Sequence, residues 1–189
     1  MESNSNELKV KKGDLLVSQP FMIDGNFRRS VVYLAEYNKE GALGFILNRP
    51  LDYKVEDLMV DFPDYKDFAY FGGPVATNTI HYIHRVGSIL DESVEISNGI
   101  YWGGNFEKLK SLISNNLITD KDIKFYVGYS GWSAGQLEDE LVNGSWIIAQ
   151  IDSNYIFKFK NIDLWKKVLE HKGDNYEIIA QIPETFFLN

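Results

Sequence analysis

The chain has 189 residues, no cysteine and a formal net charge of −8 at pH 7, with 44% hydrophobic and 14% aromatic residues. A chain of this length buries roughly 70% of its extended surface and needs no disulfide or metal to fold, and the missing thiol excludes a disulfide framework, a cysteine nucleophile and cysteine-ligated zinc. The acidic balance disfavours nucleic acid, which is bound mainly through clustered Lys and Arg, and no apolar window approaches the eighteen or so residues of a membrane span.

Residues 1–10 read as a mobile polar tail without the basic and apolar regions of a secretory signal, and residues 11–189 as one domain, so a cytoplasmic location is expected. Asp14 to Ser18 reads as a strand ending at Gln19-Pro20. Arg29 to Glu36 and Ala42 to Asn48 read as a hairpin, with Gly41 supplying the turn and Pro50 closing the second strand. Lys54 to Phe62 carries Val55, Leu58 and Met59 at helical spacing, with an acidic outer face. Phe68 to Phe71 is a strand running into Gly72-Gly73-Pro74, and Thr79 to His84 is another strand. Asn98-Gly99 marks a two-residue hairpin between Val94–Ile96 and Ile100–Trp102. Asn105 caps a helix whose apolar face is Phe106, Leu109, Leu112 and Ile113.

Lys124 to Val127 is a strand, followed by a glycine turn and a helix over Ala134 to Val142. Ser145 to Gln150 is a buried strand, and Tyr155 to Phe159 fits strand or helix. Asp163 opens a helix with Leu164, Trp165, Val168 and Leu169 inside, ended by Gly173. Tyr176 to Ala180 is expected as a closing strand. Consecutive hairpins point to an α+β fold with a mixed, largely antiparallel sheet; a doubly wound parallel sheet is the alternative.

The segment Gly128-Tyr-Ser-Gly-Trp-Ser-Ala-Gly-Gln-Leu-Glu138 concentrates the chemistry. Ser133 and Gln136 stand in capping-box spacing, with Leu137, Leu141 and Val142 expected inward and Glu138, Asp139 and Glu140 solvated. Strand, glycine turn and helix start also form a frame for anion binding, with free amides near Gly131 to Gly135 beside an exposed Trp132. Gly131-Trp-Ser-Ala-Gly135 matches the nucleophile elbow G-x-S-x-G, which assigns Ser133 as nucleophile and His171, the only later histidine, as base, with Asp152 or Asp163 as the acid. The chain lacks the HGGG-type oxyanion loop of that class. His81 and His84 are three apart on a strand and point to opposite faces, so they do not share a metal ion. The acidic run 52–67 lacks a calcium-loop pattern. Gly72-Gly73-Pro74 removes side chains where backbone approaches closely, and one of Arg28 and Arg29 points outward as an anchor for an anion or carboxylate.

Taken in order, Ser18-Gln-Pro20, Phe27-Arg-Arg-Ser-Val-Val-Tyr33, Gly41-Ala-Leu-Gly44, Asn48-Arg-Pro50, Gly72-Gly-Pro74, Gly128-Tyr129, Trp132 and Gly135-Gln-Leu-Glu138, with Trp146 and the stretch from Phe157 to Trp165, resemble the AlgH/YqgE family of bacterial proteins. The resemblance runs from about residue 11 onward. It implies a bacterial cytosolic protein with one α+β domain built on a barrel-like sheet flanked by helices. Some members are labelled transcriptional regulators, and the family supplies no catalytic residues or cofactor to carry over. Its pattern leaves the positions of Gly131 and Ser133 open, which argues against Ser133 as a family nucleophile.

These readings favour a module without chemistry of its own, holding a small anionic ligand or a protein partner. The candidate surface comprises Arg29, Asn48, Gly72, Gly73, Pro74, Gly128, Trp132, Gly135, Gln136 and Glu138. No cofactor or metal is expected. The rival readings are a serine hydrolase acting through Ser133 and His171, and a DNA-binding transcriptional regulator, whose helix over Ala134 to Val142 bears acids that phosphates repel.

Overall fold

The computed structural model describes residues 10–158 and 163–183. Its strands are β1 (Leu15–Ser18), β2 (Val31–Asn38), β3 (Gly41–Ile46), β4 (Pro50–Lys54), β5 (Phe68–Phe71), β6 (Val75–His84), β7 (Val94–Ser97), β8 (Ile100–Trp102), β9 (Ile123–Ser133) and β10 (Trp146–Ala149). Its helices are α1 (Val55–Leu58), α2 (Phe106–Ser114), α3 (Gln136–Val142), α4 (Asn154–Phe157), α5 (Leu164–Lys172) and α6 (Asn175–Ala180). The strands form one sheet in the order β10-β1-β2-β3-β9-β6-β8-β7, with β5 beside β9 and β4 beside β5. Every pairing is antiparallel except β5 with β9. The fold is therefore α+β with a mixed, largely antiparallel sheet, as the hairpin order predicts. The path is not closed into a barrel. Its β7 end nevertheless reaches β2 and the chain just before β1 through side chains: the Tyr33 hydroxyl meets Ser97 Oγ at 3.0 Å, and Lys12 Nζ donates to the Glu95 carbonyl at 2.7 Å.

Alternation along the strands sorts the core into layers. Leu15, Val17, Val31, Tyr33, Phe45, Ile83 and Tyr126 fill one face together with α4, α5 and α6. Their neighbours Leu16, Val32, Leu34, Ile46 and Trp132 fill the opposite face, against Leu137 and Leu141 of α3. Tyr82 and Phe125 face a third layer with Leu109 and Ile113 of α2. Central strands buried on both faces explain why β1 is apolar without alternation.

β9 holds the two halves of the sheet together. Its first half pairs with β6 and β5, and Ser130 to Ser133 pairs with Gly44 to Gly41 of β3. The change of partner falls at Gly128, φ +65°. The expected turn at this point is instead continuous strand, because Gly128 bends the chain without ending the ladder. Gly72 and Gly73 pack against that bend. The Gly72 amide donates to the Val127 carbonyl at 2.8 Å, and the Gly72 carbonyl accepts from the Ile46 amide at 2.9 Å and from Ser130 Oγ at 3.0 Å. A Cβ on Gly73 would lie under 3.0 Å from the Tyr129 backbone, and one on Gly128 under 3.0 Å from the Gly73 and Val75 carbonyls.

Several local expectations hold. Asn98 (φ +50°) and Gly99 (φ +74°) make the hairpin turn, and Asn105 Oδ1 accepts from the Lys108 amide at 3.0 Å as the α2 cap. Others are corrected. Residues 176–180 belong to helix α6, not a closing strand, because Tyr176 and Ile179 pack on the core at helical spacing and the five-residue segment was too short to show a period of its own. The helix expected over residues 54–62 is the single turn α1, since Pro50 to Lys54 pairs with β5. Val142 is 77% exposed although expected inward. Tyr155 to Phe157 is helical, and Phe159 lies outside the described residues. So do residues 1–9 of the expected tail; Val10 is buried in the layer beneath α3.

His84 and Tyr82 face one side of β6 and His81 the other, and no metal-binding group of His, Asp or Glu exists among the described residues. His84 Nδ1 accepts from the Val86 amide at 3.2 Å, so its Nε2–H donates to the Gly103 carbonyl at 2.8 Å. Burial lowers the pKa of His84, against the pull of that carbonyl, and lowers that of His81.

Two measurements check this account. Gly128→Ala is expected to cost about 3 kcal/mol or more through clash and positive φ, whereas Gly25→Ala, in open space, stays within about 0.5 kcal/mol in urea melts. The folded chain keeps both histidines neutral, so their contribution is complete above the unfolded pKa of about 6.5 and is lost as pH falls below it. The fall in urea midpoint from about pH 7.5 to about pH 5.5 will be smaller for His84→Gln than for the parent protein.

Candidate functional site

The candidate residues divide among three places. Gly72, Gly73 and Gly128 are buried in the contact between β5, β6 and β9, where they admit backbone and not ligand; Pro74 is exposed beyond them. Trp132, Gln136 and Glu138 belong to a clasp between α3 and the sheet. Arg29 and Asn48 line a basic pocket elsewhere.

The clasp explains the spacing of the glycine-rich segment. Glu140 Oε2 accepts from the indole N–H of Trp132 at 2.9 Å and of Trp146 at 2.7 Å, and Glu140 Oε1 accepts from Gln136 Nε2 at 3.0 Å. Gln136 Oε1 in turn accepts from the Ser133 amide at 3.1 Å and its hydroxyl at 3.2 Å. Trp132 is thus 6% exposed instead of exposed, and Glu140 is engaged instead of solvated. Half of the expected capping box forms: Gln136 reaches back to the Ser133 amide, but the N-cap is Gly135 at φ +79° and the Ser133 hydroxyl donates instead of accepting. The Tyr37 hydroxyl donates to Glu138 Oε1 at 2.6 Å, and this bond pushes the phenol up to about 12. The amides expected to be free near Gly131 lie in a strand paired with β3.

No hydrogen bond joins Ser133 to His171. The Ser133 hydroxyl bonds to Gln136, while His171 Nδ1 meets the Tyr155 hydroxyl at 2.6 Å. His171 lies on α5, which packs over β1, and Ser133 lies on β9, three strands and about 14 Å across the sheet. Among the described residues the Ser133 hydroxyl has no histidine partner.

The basic pocket, about 390 Å³ in volume, lies where the start of β2, the chain after β3 and the first turn of α5 meet. Arg28, Arg29, Arg49 and Lys166 line it with a single acid, Asp163. Asn48 sets its backbone: Oδ1 accepts from the Val31 amide at 2.9 Å, and Nδ2 donates to the Arg29 carbonyl at 2.8 Å. That clamp holds Arg29 at φ +49°, an uncommon conformation for a side chain of this size. The Arg29 guanidinium lies 4.6 Å from the Trp165 ring centroid and donates through Nη2 to the Ile182 carbonyl, leaving Nε buried without a partner among the described residues. Trp165 is fixed by its indole N–H to the Ser18 carbonyl at 2.8 Å. Arg49 Nη2 donates to the carbonyls of Arg28 at 2.9 Å and Gly25 at 3.0 Å. The Arg28 guanidinium has no partner among the described residues. Lys166 pairs with Glu170 at 3.7 Å on an exposed helix face, a weak tie.

Sequence reasoning selected Arg29 and Asn48 for this surface but not Arg49, Trp165 or Lys166. Arg49 stood inside the Asn48-Arg-Pro50 motif and was a legible signal. Trp165 read only as core, and no local pattern tied Lys166 to Arg28.

An open, mostly antiparallel sheet with helices on both faces and a pocket lined by basic side chains defines the class as an α+β protein with a basic cleft. The chain matches the AlgH-like family (DUF179) over residues 15–177 and belongs to that family. It is 39% identical to a UPF0301 protein of Chlorobium limicola, covering 96% of this chain and 97% of that one. It is 41% identical to a UPF0301 protein of Chlorobium chlorochromatii, covering 96% of each. The solution structure of AlgH from Pseudomonas aeruginosa superposes with a TM-score of 0.74 at 26% identity, covering 97% of this chain and 98% of that one. Protein DIP2367 of Corynebacterium diphtheriae shares the fold with a TM-score of 0.79 at 20% identity, covering 96% and 95%. Among the described residues no helix is long and apolar enough to cross a membrane.

The clasp yields a direct test. Glu140→Ala leaves two buried indole N–H groups unpaired and is expected to cost about 2–4 kcal/mol, whereas Ser133→Ala removes one exposed bond and costs under about 1 kcal/mol. Chemical denaturation distinguishes the two, and a fluorophosphonate probe is expected to leave Ser133 unlabelled.

Proposed function

We propose that this protein is a non-catalytic binding module of the bacterial cytoplasm that holds a small anionic ligand, with its phosphate or carboxylate group against Arg28, Arg29 and Lys166. The observation that carries this reading is the gathering of four cationic side chains around one pocket with a single opposing acid, in a chain whose net charge is −8. Like charges gathered around one cleft raise the local potential and favour an anion, and guanidinium groups match the planar oxygens of phosphate and carboxylate. Arg29 is already ordered by Trp165 and Ile182, so little side-chain entropy is lost when it meets a ligand. The pocket volume lies in the range of small-molecule sites.

A regulatory role fits the same geometry. Trp165 and Lys166 begin α5, so a ligand seated beside them bears on how that helix lies on the sheet. Glu138 and Glu140 of α3 are tied to Tyr37, Trp132 and Trp146 and Asp139 adds a further exposed negative charge, which leaves that helix unsuited to read DNA.

A thermal-shift screen with inorganic phosphate, nucleotides and phosphorylated sugars tests the reading. Ligand at a hundred times its dissociation constant adds about 2.7 kcal/mol, or roughly 5–11 °C in Tm for a chain of this size. The double variant Arg28→Ala, Lys166→Ala is expected to fold normally and lose the shift. Absence of any shift in the parent protein, or an equal shift in the variant, rejects the proposal.

A further inference from the structure

A second cavity, about 690 Å³ in volume, lies between the β1–β10 pair and the last turn of α5. It shares no lining residue with the basic pocket. One wall is aliphatic, formed by Ile148, Ile151 and Val168. Another is Asp14, which is 5% exposed and the only carboxylate among the buried polar residues described. Asp14 Oδ2 accepts from the Lys11 amide at 2.9 Å, but no Lys or Arg side chain among the described residues forms an ion pair with it. Its other oxygen has no hydrogen bond among the described residues, and Asp14 lines the cavity. Burying a carboxylate without a close ion pair is costly, and burial raises the Asp14 pKa against the opposing pull of the Lys11 amide and charge. Lys11 and Lys172 line the same cavity with Gln150, Asp152 and His171, the Lys172 ammonium lying 4.9 Å from the Tyr176 ring centroid.

We infer that this cavity binds a free amino acid with an aliphatic side chain, its ammonium on Asp14, its carboxylate on Lys172 and its side chain against Ile148, Ile151 and Val168. Three features of the cavity each select one part of such a ligand. The buried acceptor needs a charged donor, because a neutral or anionic group leaves its charge uncompensated. The Lys172 ammonium favours an anion, and Ile148, Ile151 and Val168 offer an apolar wall to the ligand's side chain. The stacked and hydrogen-bonded Tyr155–His171 pair fixes the position of the α5 end that carries Lys172.

The test is an NMR titration of the full chain with L-leucine, isoamylamine and isocaproate, which share the aliphatic body and differ in charge. L-leucine is expected to shift the amides of Ile148, Ile151 and Val168, with each monovalent analogue bound at least about tenfold more weakly. Asp14→Asn keeps the acceptor for the Lys11 amide and is expected to fold while losing leucine by about tenfold or more. Lys172→Ala, at an exposed position, is expected to weaken leucine severalfold. Arg28→Ala is expected to change nothing here, so failure at this cavity and failure at the basic pocket are read separately. The inference is overturned if leucine shifts none of these amides, if either analogue binds as tightly, or if Asp14→Asn and Lys172→Ala both bind leucine like the parent protein.

Discussion

The fold depends on one close approach of backbone to backbone, where β9 bends at Gly128 against Gly72 and Gly73. The bend lets a single eleven-residue strand serve β6 and β5 with its first half and β3 with its second. Side chains at these positions would hold the strands apart, so the glycines are required by contact as well as by conformation. Because β9 is common to both halves, the core beneath α5 is continuous from β1 to β8 while the outer layers under α3 and α2 stay separate. The sheet curls enough for Tyr33 and Lys12 to touch β7, yet no ladder closes it.

A second constraint is the carboxylate of Glu140, shared by two indoles. It ties β9 and β10 to α3, although β10 and β9 are separated in the sheet by β1, β2 and β3. The most distinctive polar residues of the sequence therefore serve architecture. Chemistry-ready groups gather instead on either side of α5, which presents Trp165 and Lys166 to the basic pocket and Val168, His171 and Lys172 to the larger cavity. Both sites form where helix ends meet strand ends, so neither is written in one continuous segment.

Much of the fold was legible. The hairpins about Gly41 and Asn98-Gly99, the Asn105 cap and the α5 core face all follow from local chemistry that acts over a few residues. The misreadings have common causes. Gly128 carried turn chemistry but sits mid-strand, because a ladder on both sides overrides a local preference for bending. Tyr176 to Ala180 was too short for its period to separate strand from helix, and packing against α5 decided. Trp132 and Glu140 were read by residue type as exposed and solvated, whereas their mutual bond buries the one and engages the other.

The sequence by itself determined the α+β class, the family and the local elements, because these rest on periodicity, turn residues and motif spacing within short windows. It also marked Arg29 and Asn48, whose motifs lie close to the strands they flank. The tertiary structure decided that Ser133 and His171 stand apart, that the two glycine runs meet each other and not a ligand, and that Arg28, Arg49 and Lys166 share one pocket. These are matters of long-range contact: they are fixed by which strands neighbour β9 and by where α5 lies on the sheet, and no pattern of adjacent residues encodes either.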